Sequence, residues 1–462
     1  MNLQSILYNL PEVRPPTEKR LSFNTKLKWT LIILVAFFVL ANIPLYGLGQ
    51  NSLSRFQQVA AILGAEFGSL ISLGIGPIVT ASIILQLLVG SGILKINTTT
   101  PEGKRMFQGL QKIAVLFFIL FEAAVYVLMG GLQPVNASFT GILIFQLILG
   151  GLAIMLMDEV SAKWGFGSGV SLFIVAGVAR TLITGMFQFI GTSGENCLAD
   201  FRNTPCSGAL LVVIQSFING APKEALVAGT VIAVTAGIFL LVVWSQSLKV
   251  EIPLAFDRLR GYTMKWPLAF FYASNIPVIL VAALVANIQL FGTLVENSVG
   301  HATLLGGFSN GQAISGFAYW ISYSNLLEAI IRGSLQNSQI IQAGTHLLFF
   351  VIFSVIFAIF WVKTAGMDAS SQAKRIIASG LQIPGFRKDE RILESILARY
   401  VLPLTIMGGI AIGILAALTD TLGAITSGTS ILLAVMIMYQ LYQNIAQQHA
   451  VDMHPALRKM AG

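Results

Sequence analysis

The sequence predicts an all-α membrane protein of ten spanning helices, and three observations lead there. Charged residues make up only 10% of the 462 residues, where a soluble chain carries about 25%, and AVILMFWYC residues reach 55% before 44 glycines are added. Apolar runs long enough to cross about 30 Å of hydrocarbon fall near 29–48, 72–94, 113–132, 138–157, 169–190, 225–245, 272–292, 346–366, 400–419 and 429–446. With the amino terminus inside, ten crossings place all of the 28 Lys and Arg on the cytoplasmic side except Arg55, Arg180, Arg202, Lys223 and Arg332, as the positive-inside rule requires. That sorting accounts for much of the net charge of +8 without invoking nucleic acid or anionic lipid.

Residues 1–28 are polar, contain Pro11, Pro15 and Pro16, and read as a cytoplasmic lead. No cleavable signal is evident, because the first apolar run begins only at Trp29, spans a full bilayer and lacks a small-residue cleavage site; the amino terminus is expected to stay. The second run is broken at its start by Gly74, Gly76 and Pro77. Pro77 lacks a backbone donor and suits a first helical turn, so helix is expected to begin there and run to about Leu94. Backbone interrupted at membrane depth needs a protein-lined cavity around it; an ordinary Gly-Pro kink in one spanning helix is the alternative. Ahead of it, residues 55–66 (RFQQVAAILGAE) are too polar to span, with Gly64 and Gly68 as hinges, and fit an interfacial helix in the outer headgroups. Residues 313–331 are apolar enough to rival the ten runs, but an eleventh crossing would send seven basic residues outside; they are expected to form an extracytoplasmic loop, partly helical. Cys197 and Cys206 share the outer loop between runs five and six, where a disulfide is chemically permitted but not demanded.

No phosphate loop, nucleophile elbow or H-E-x-x-H motif occurs, so catalysis has no visible residues, and two cysteines and four dispersed histidines give no basis for a metal site. Ionisable groups inside the apolar runs are few: Glu122 in the third, Arg180 in the outer half of the fifth, Asp420 at the end of the ninth. Such groups are costly in lipid and usually functional. Glu122 therefore admits two readings, a proton relay in a coupled secondary transporter or a carboxyl facing a polar neighbour across a helix interface.

Residues 73–88 (LGIGPIVTASIILQLL) resemble the first signature of the SecY family, the pore subunits of the general protein-conducting channel. Residues 156–174 (LMDEVSAKWGFGSGVSLFI) resemble its second, with Asp158, Ser161, Gly165, Gly167 and Gly169 in the expected places, and residues 249–280 look like the archaeal and eukaryotic form of the loop before the seventh helix. The resemblance runs from LPEVRPPTEK to HPALRKM.

It implies two inverted, pseudo-symmetric halves, 1–222 and 223–462, hinged between helices five and six, with inner loops 246–270 and 364–399. It implies a passive conduit, without enzymatic activity or cofactor, for unfolded secretory polypeptides, releasing apolar segments sideways into lipid. The family's pore ring falls on Ile75, Val79, Val170, Ile174, Ile279 and Leu433, all aliphatic, a material that closes around a chain without binding it and dries when empty. An aliphatic residue in a membrane helix is ordinarily mere packing, and only the resemblance singles out these six. A plug is implied at 55–66, including Arg55, Phe56, Ala60, Ile62, Leu63 and Gly64, and a lateral gate at Thr80, Glu122 and Asn287. Arg258, Arg260, Lys374, Arg375, Arg387 and Lys388, whose default use is to fix topology, are implied to meet ribosomal phosphates. Implied partners are a SecE-type subunit, a Sec-beta-type subunit, the ribosome, nascent secretory and membrane chains, and the bilayer.

Overall fold

The computed structural model describes residues 12–18, 21–55, 57–96, 100–191, 194–256, 263–273, 275–309, 312–378, 381–382 and 390–453. Helix dominates, because a chain with so few charges must close its backbone hydrogen bonds within each segment. Helix α1 (Phe23–Ala41) starts from Ser22, whose hydroxyl accepts from the Thr25 N–H at 3.3 Å. It ends before the expected 48, since Pro44 cannot extend it, and the chain turns into strand β1 (Leu48–Asn51). A 3₁₀ turn (Ser52–Arg55) leads into the short α2 (Gln57–Ile62). Helix α3 (Gly76–Gly90) has Pro77 in its first turn, as expected, but stops short of Leu94; Gly92 there has φ 82°.

Helix α4 (Pro101–Leu128) begins well before the apolar run at 113, capped by Thr100, whose hydroxyl accepts from Gly103 at 3.1 Å, with Glu102 in the first turn. Strand β2 (Leu132–Pro134) pairs antiparallel with β1. Helices α5 (Thr140–Trp164), α6 (Gly169–Phe187) and α8 (Pro222–Gln246) cross, with the short α7 (Ala209–Ile218) laid against α8. Strands β3 (Lys249–Phe256) and β4 (Thr263–Ala269) form an antiparallel ribbon of which the apolar runs give no sign. Helix α9 (Ile276–Val299) follows. Residues 313–331 do not cross: they form strand β6 (Gln312–Ser315), paired with β5 (Gly307–Ser309), and the short helices α10 (Gly316–Ile321) and α11 (Leu326–Arg332). Helix α12 (Asn337–Thr364), helix α13 (Ala369–Ala378), strand β7 (Leu381–Gln382) against β3, α14 (Glu390–Thr421) and α15 (Gly428–Met453) complete the chain.

Among the described residues nine helices are long and apolar enough to cross a membrane. The tenth expected crossing is α3, only 15 residues long because its first half is irregular backbone. Helix α9 is central: 72% of its apolar stretch is buried, against 17% in α1 and α8, and it touches α2, α3, α12, α14 and α15. A second, smaller core (Leu268, Tyr272, Val362, Ile376, Leu393, Leu397) knits α12, α13 and α14 to β4.

Candidate functional site

The irregular segment ahead of α3 is buried and closed by its own hydrogen bonds. Gly74 has φ 52°, and a Cβ there would stand 2.3 Å from the Leu63 carbonyl oxygen, so only glycine fits. The next residue, Ile75, donates its N–H to that same carbonyl at 2.8 Å. The start of α3 is thereby bonded to the end of α2. On its other side α2 meets α6: Gly64, at φ 51°, lies against Phe173, where a Cβ would be 3.2 Å from the Phe173 carbonyl oxygen.

Of the six aliphatic positions, Ile75 and Val79 lie on α3, Val170 and Ile174 on α6, Ile279 on α9 and Leu433 on α15. Five are buried in one continuous hydrophobic cluster, and the half-buried Val170 packs against it. Helix α9 touches α3 and α15, α15 touches α6, and α2 touches both α6 and α9. Helix α2 thus rests against α6 and α9, with Ala60 buried and Ile62 half-buried, and the buried Leu63 follows it. Phe56 lies outside the described residues, and Arg55 closes the 3₁₀ turn before α2.

Thr80, Glu122 and Asn287, from α3, α4 and α9, meet as a triad. The Asn287 amide donates to the Thr80 hydroxyl at 2.9 Å, and that hydroxyl lies 3.1 Å from Glu122 Oε1 and 2.9 Å from the Gly76 carbonyl. The one hydroxyl proton of Thr80 is shared between the Gly76 carbonyl and Glu122, so Thr80 joins the three groups into one network. Glu122 is 1% exposed, and its Oε2 has no hydrogen-bond partner among the described residues. A carboxyl so placed is held by a single shared bond, a marginal arrangement.

Arg180 finds a partner that sequence spacing could not reveal. Its Nη1 donates to Glu66 Oε2 at 2.6 Å, joining α6 to the segment that follows α2. Both line a crevice with Phe37, Ala61, Thr181 and Gln188. The available signal was an arginine inside an apolar run, which needs an anion nearby. Asp420 is likewise satisfied: Oδ1 accepts from the Thr429 N–H at 2.7 Å, and Oδ2 lies 3.3 Å from Nε2 of the buried His346, a residue with no signal of its own in the sequence. Cys197 and Cys206 are disulfide-bonded. Gln215 of α7 spans the loop they close, accepting from the Cys206 N–H at 3.0 Å and donating to the Phe201 and Thr204 carbonyls.

At the opposite end, α13 turns Ser371, Ala373 and Ile376 inward and leaves Lys374 and Arg375 exposed. Arg258, Arg260, Arg387 and Lys388 lie outside the described residues. The Tyr272 hydroxyl donates to the Met367 carbonyl at 2.7 Å, and burial, then the Asp368 carboxylate, push it up to about 12, so it remains a donor at any physiological pH. The lead docks on α5: Lys163 bonds Glu12 and the Val13 carbonyl, Trp164 donates to the Arg14 carbonyl at 3.0 Å, and the Lys163 hydrogen bond holds the Glu12 carboxyl below its usual range. Among the described residues no group of His, Cys, Asp and Glu could hold a metal ion.

Comparison with known proteins gives two family matches, SecY over residues 69–442 and the plug domain of Sec61p over residues 35–68. The protein translocase subunit SecY of Methanothermobacter thermautotrophicus is 43% identical over 457 residues, covering 98% of this chain and 97% of that protein. The Methanococcus vannielii protein of the same name is 39% identical over the whole of both chains. Among solved structures, one of a protein-conducting channel superposes with a TM-score of 0.83 at 37% identity, and Sec61 in the canine ribosome-channel complex from the endoplasmic reticulum with 0.79 at 36%, each covering 99% of both chains.

Proposed function

Because the chain belongs to the SecY family and so forms the conducting subunit of a protein translocase, we propose that a polypeptide passes through it between α3, α6, α9 and α15. Ile75, Val79, Val170, Ile174, Ile279 and Leu433 form the waist, a ring of hydrocarbon that grips no side chain and excludes ions when empty. Helix α2, with Ala60, Ile62, Leu63 and Gly64, is the plug. The observation that carries this reading is the Leu63 carbonyl bonded to the Ile75 N–H: the short helix is seated directly under the first ring residue, by a hydrogen bond that must break when a chain enters. Thr80, Glu122 and Asn287 form the seam at which α3 and α4 part from α9, so that an apolar segment leaves sideways into lipid.

The halves 1–222 and 223–462 move apart about the connection between α6 and α8, held by a SecE-type subunit across both and a peripheral Sec-beta-type subunit, an arrangement resting on family membership alone. Lys374 and Arg375, with Arg258, Arg260, Arg387 and Lys388, face the ribosome from a cytoplasmic side that also holds both termini. The conduit is passive and the driving force comes from its partners, in keeping with a sequence that carries no phosphate loop. The test is photo-crosslinking from a stalled secretory chain to probes at Ile75 and Val170. Labelling at both supports the path; labelling confined to the α3–α9 seam refutes it.

A further inference from the structure

Between Glu296 and Glu328 the chain carries no Asp, Glu, Lys or Arg. Within that stretch Leu304 is 95% exposed and Ile314 62%, with Phe317 and Trp320 exposed beside them. A loop in water would hardly concentrate so much apolar surface without a charge.

The backbone of α10 supplies the second observation. Its last carbonyls, those of Tyr319, Trp320 and Ile321, accept from the Gln342 amide at 3.0 Å, the Thr345 hydroxyl at 2.7 Å and His346 Nδ1 at 2.7 Å. The three donors share one face of α12. At a helix end in water, solvent meets this need; in hydrocarbon only the protein can. From the other side, the Gln289 amide of α9 donates to the Ser322 hydroxyl at 2.8 Å.

Depth follows from geometry. The Phe317 ring lies 6.3 Å from that of Phe349, half-buried on α12 where Leu348 and Ile352 are exposed, so the patch adjoins the exposed face of α12. With 28 residues α12 is roughly 42 Å long, about 12 Å more than the hydrocarbon. Phe349 stands about 18 Å in from its amino-terminal end, inside the hydrocarbon even if all the surplus protruded there. Ile340 and Ile341, nearer that end, are already more than half exposed, as lipid-facing residues are.

We propose that β5, β6 and α10 are inserted into the bilayer at the boundary of acyl chains and headgroups, and that lipid is what covers Leu304, Ile314, Phe317 and Trp320. Trp320 and Tyr319 then serve as interfacial anchors. Through Gln289 on one side and Gln342, Thr345 and His346 on the other, the insert ties this leaflet to α9 and α12. The proposal needs only that α12 spans, so its failure leaves the polypeptide path untouched.

The test uses Leu304→Cys, Ile314→Cys, Phe317→Cys and Trp320→Cys, each in the full complex in phospholipid nanodiscs and spin-labelled. All four positions are exposed, so folding tolerates the label, and the described residues contain no free cysteine to compete. Arg202→Cys, in an exposed polar loop, is the aqueous control. Collisions with molecular oxygen are expected to exceed those with a water-soluble nickel chelate at all four sites and to fall below them at position 202. Nickel exceeding oxygen at the four, as at 202, would put the segment in water. Exclusion of both reagents would put a protein partner on the patch. Either result overturns the proposal.

Discussion

The Asn287 side-chain amide donates to the Thr80 hydroxyl at 2.9 Å, joining helices 207 positions apart in sequence, and the same hydroxyl reaches the buried Glu122. One hydrogen bond of this kind contributes about 1 kcal/mol net. Asn287→Leu or Thr80→Val should therefore raise the open fraction roughly five-fold, read as channel openings in planar bilayers and as export of proteins with weakened signals. Glu122→Gln keeps a polar partner for Thr80, so polypeptide transport should persist; abolished transport would instead make Glu122 a coupling group.

On the proposed path, Ile75→Asn or Ile174→Gly should admit water to the waist. The expected outcome is a measurable ion leak through resting channels in planar bilayers. A resting conductance equal to that of the parent would remove these positions from the seal.

Arg180 and Glu66 face each other at 2.6 Å, with side chains 37% and 42% exposed. Exposure limits the pair to about 1 kcal/mol or less. Arg180→Glu should loosen the plug, raising crosslinking of a cysteine at position 62 to external reagents by up to about five-fold, and adding Glu66→Arg should restore the parental value. A double variant as loose as the single would show that the pair does not restrain α2.

Replacing Cys197 and Cys206 by Ser removes the closure of a short loop between α6 and α7, worth about 2 to 3 kcal/mol of local restraint. Proteolysis between positions 197 and 206 should rise while translocation is kept, because Gln215 still bonds the loop to α7. Unchanged cleavage would assign the restraint to Gln215 alone.

Charge reversal at Lys374 and Arg375, and separately at Arg258 and Arg260, should weaken ribosome binding at low salt and flatten its salt dependence by roughly one counterion for each phosphate no longer neutralised. Equal affinity across all variants would leave these residues with a topological role only.

Much of this protein was legible in the sequence, and the reason is its solvent. Scarce charge, runs of bilayer length and the sorting of Lys and Arg determined that helices cross a membrane and about how many, because hydrocarbon forbids unsatisfied backbone and lone charges alike. Gly74 and Pro77 announced the broken start of α3 for the same reason. The order of the runs could not say which helices are neighbours. That Thr80 would find Asn287, that Arg180 would find Glu66 and that the Leu63 carbonyl would receive the Ile75 N–H were decided by tertiary packing, since each joins segments whose separation carries no periodic signal. Residues 313–331 mark the boundary: charge bias argued against a crossing, but only the folded chain, setting Gln342, Thr345 and His346 opposite the last three carbonyls of α10, determined how they pack.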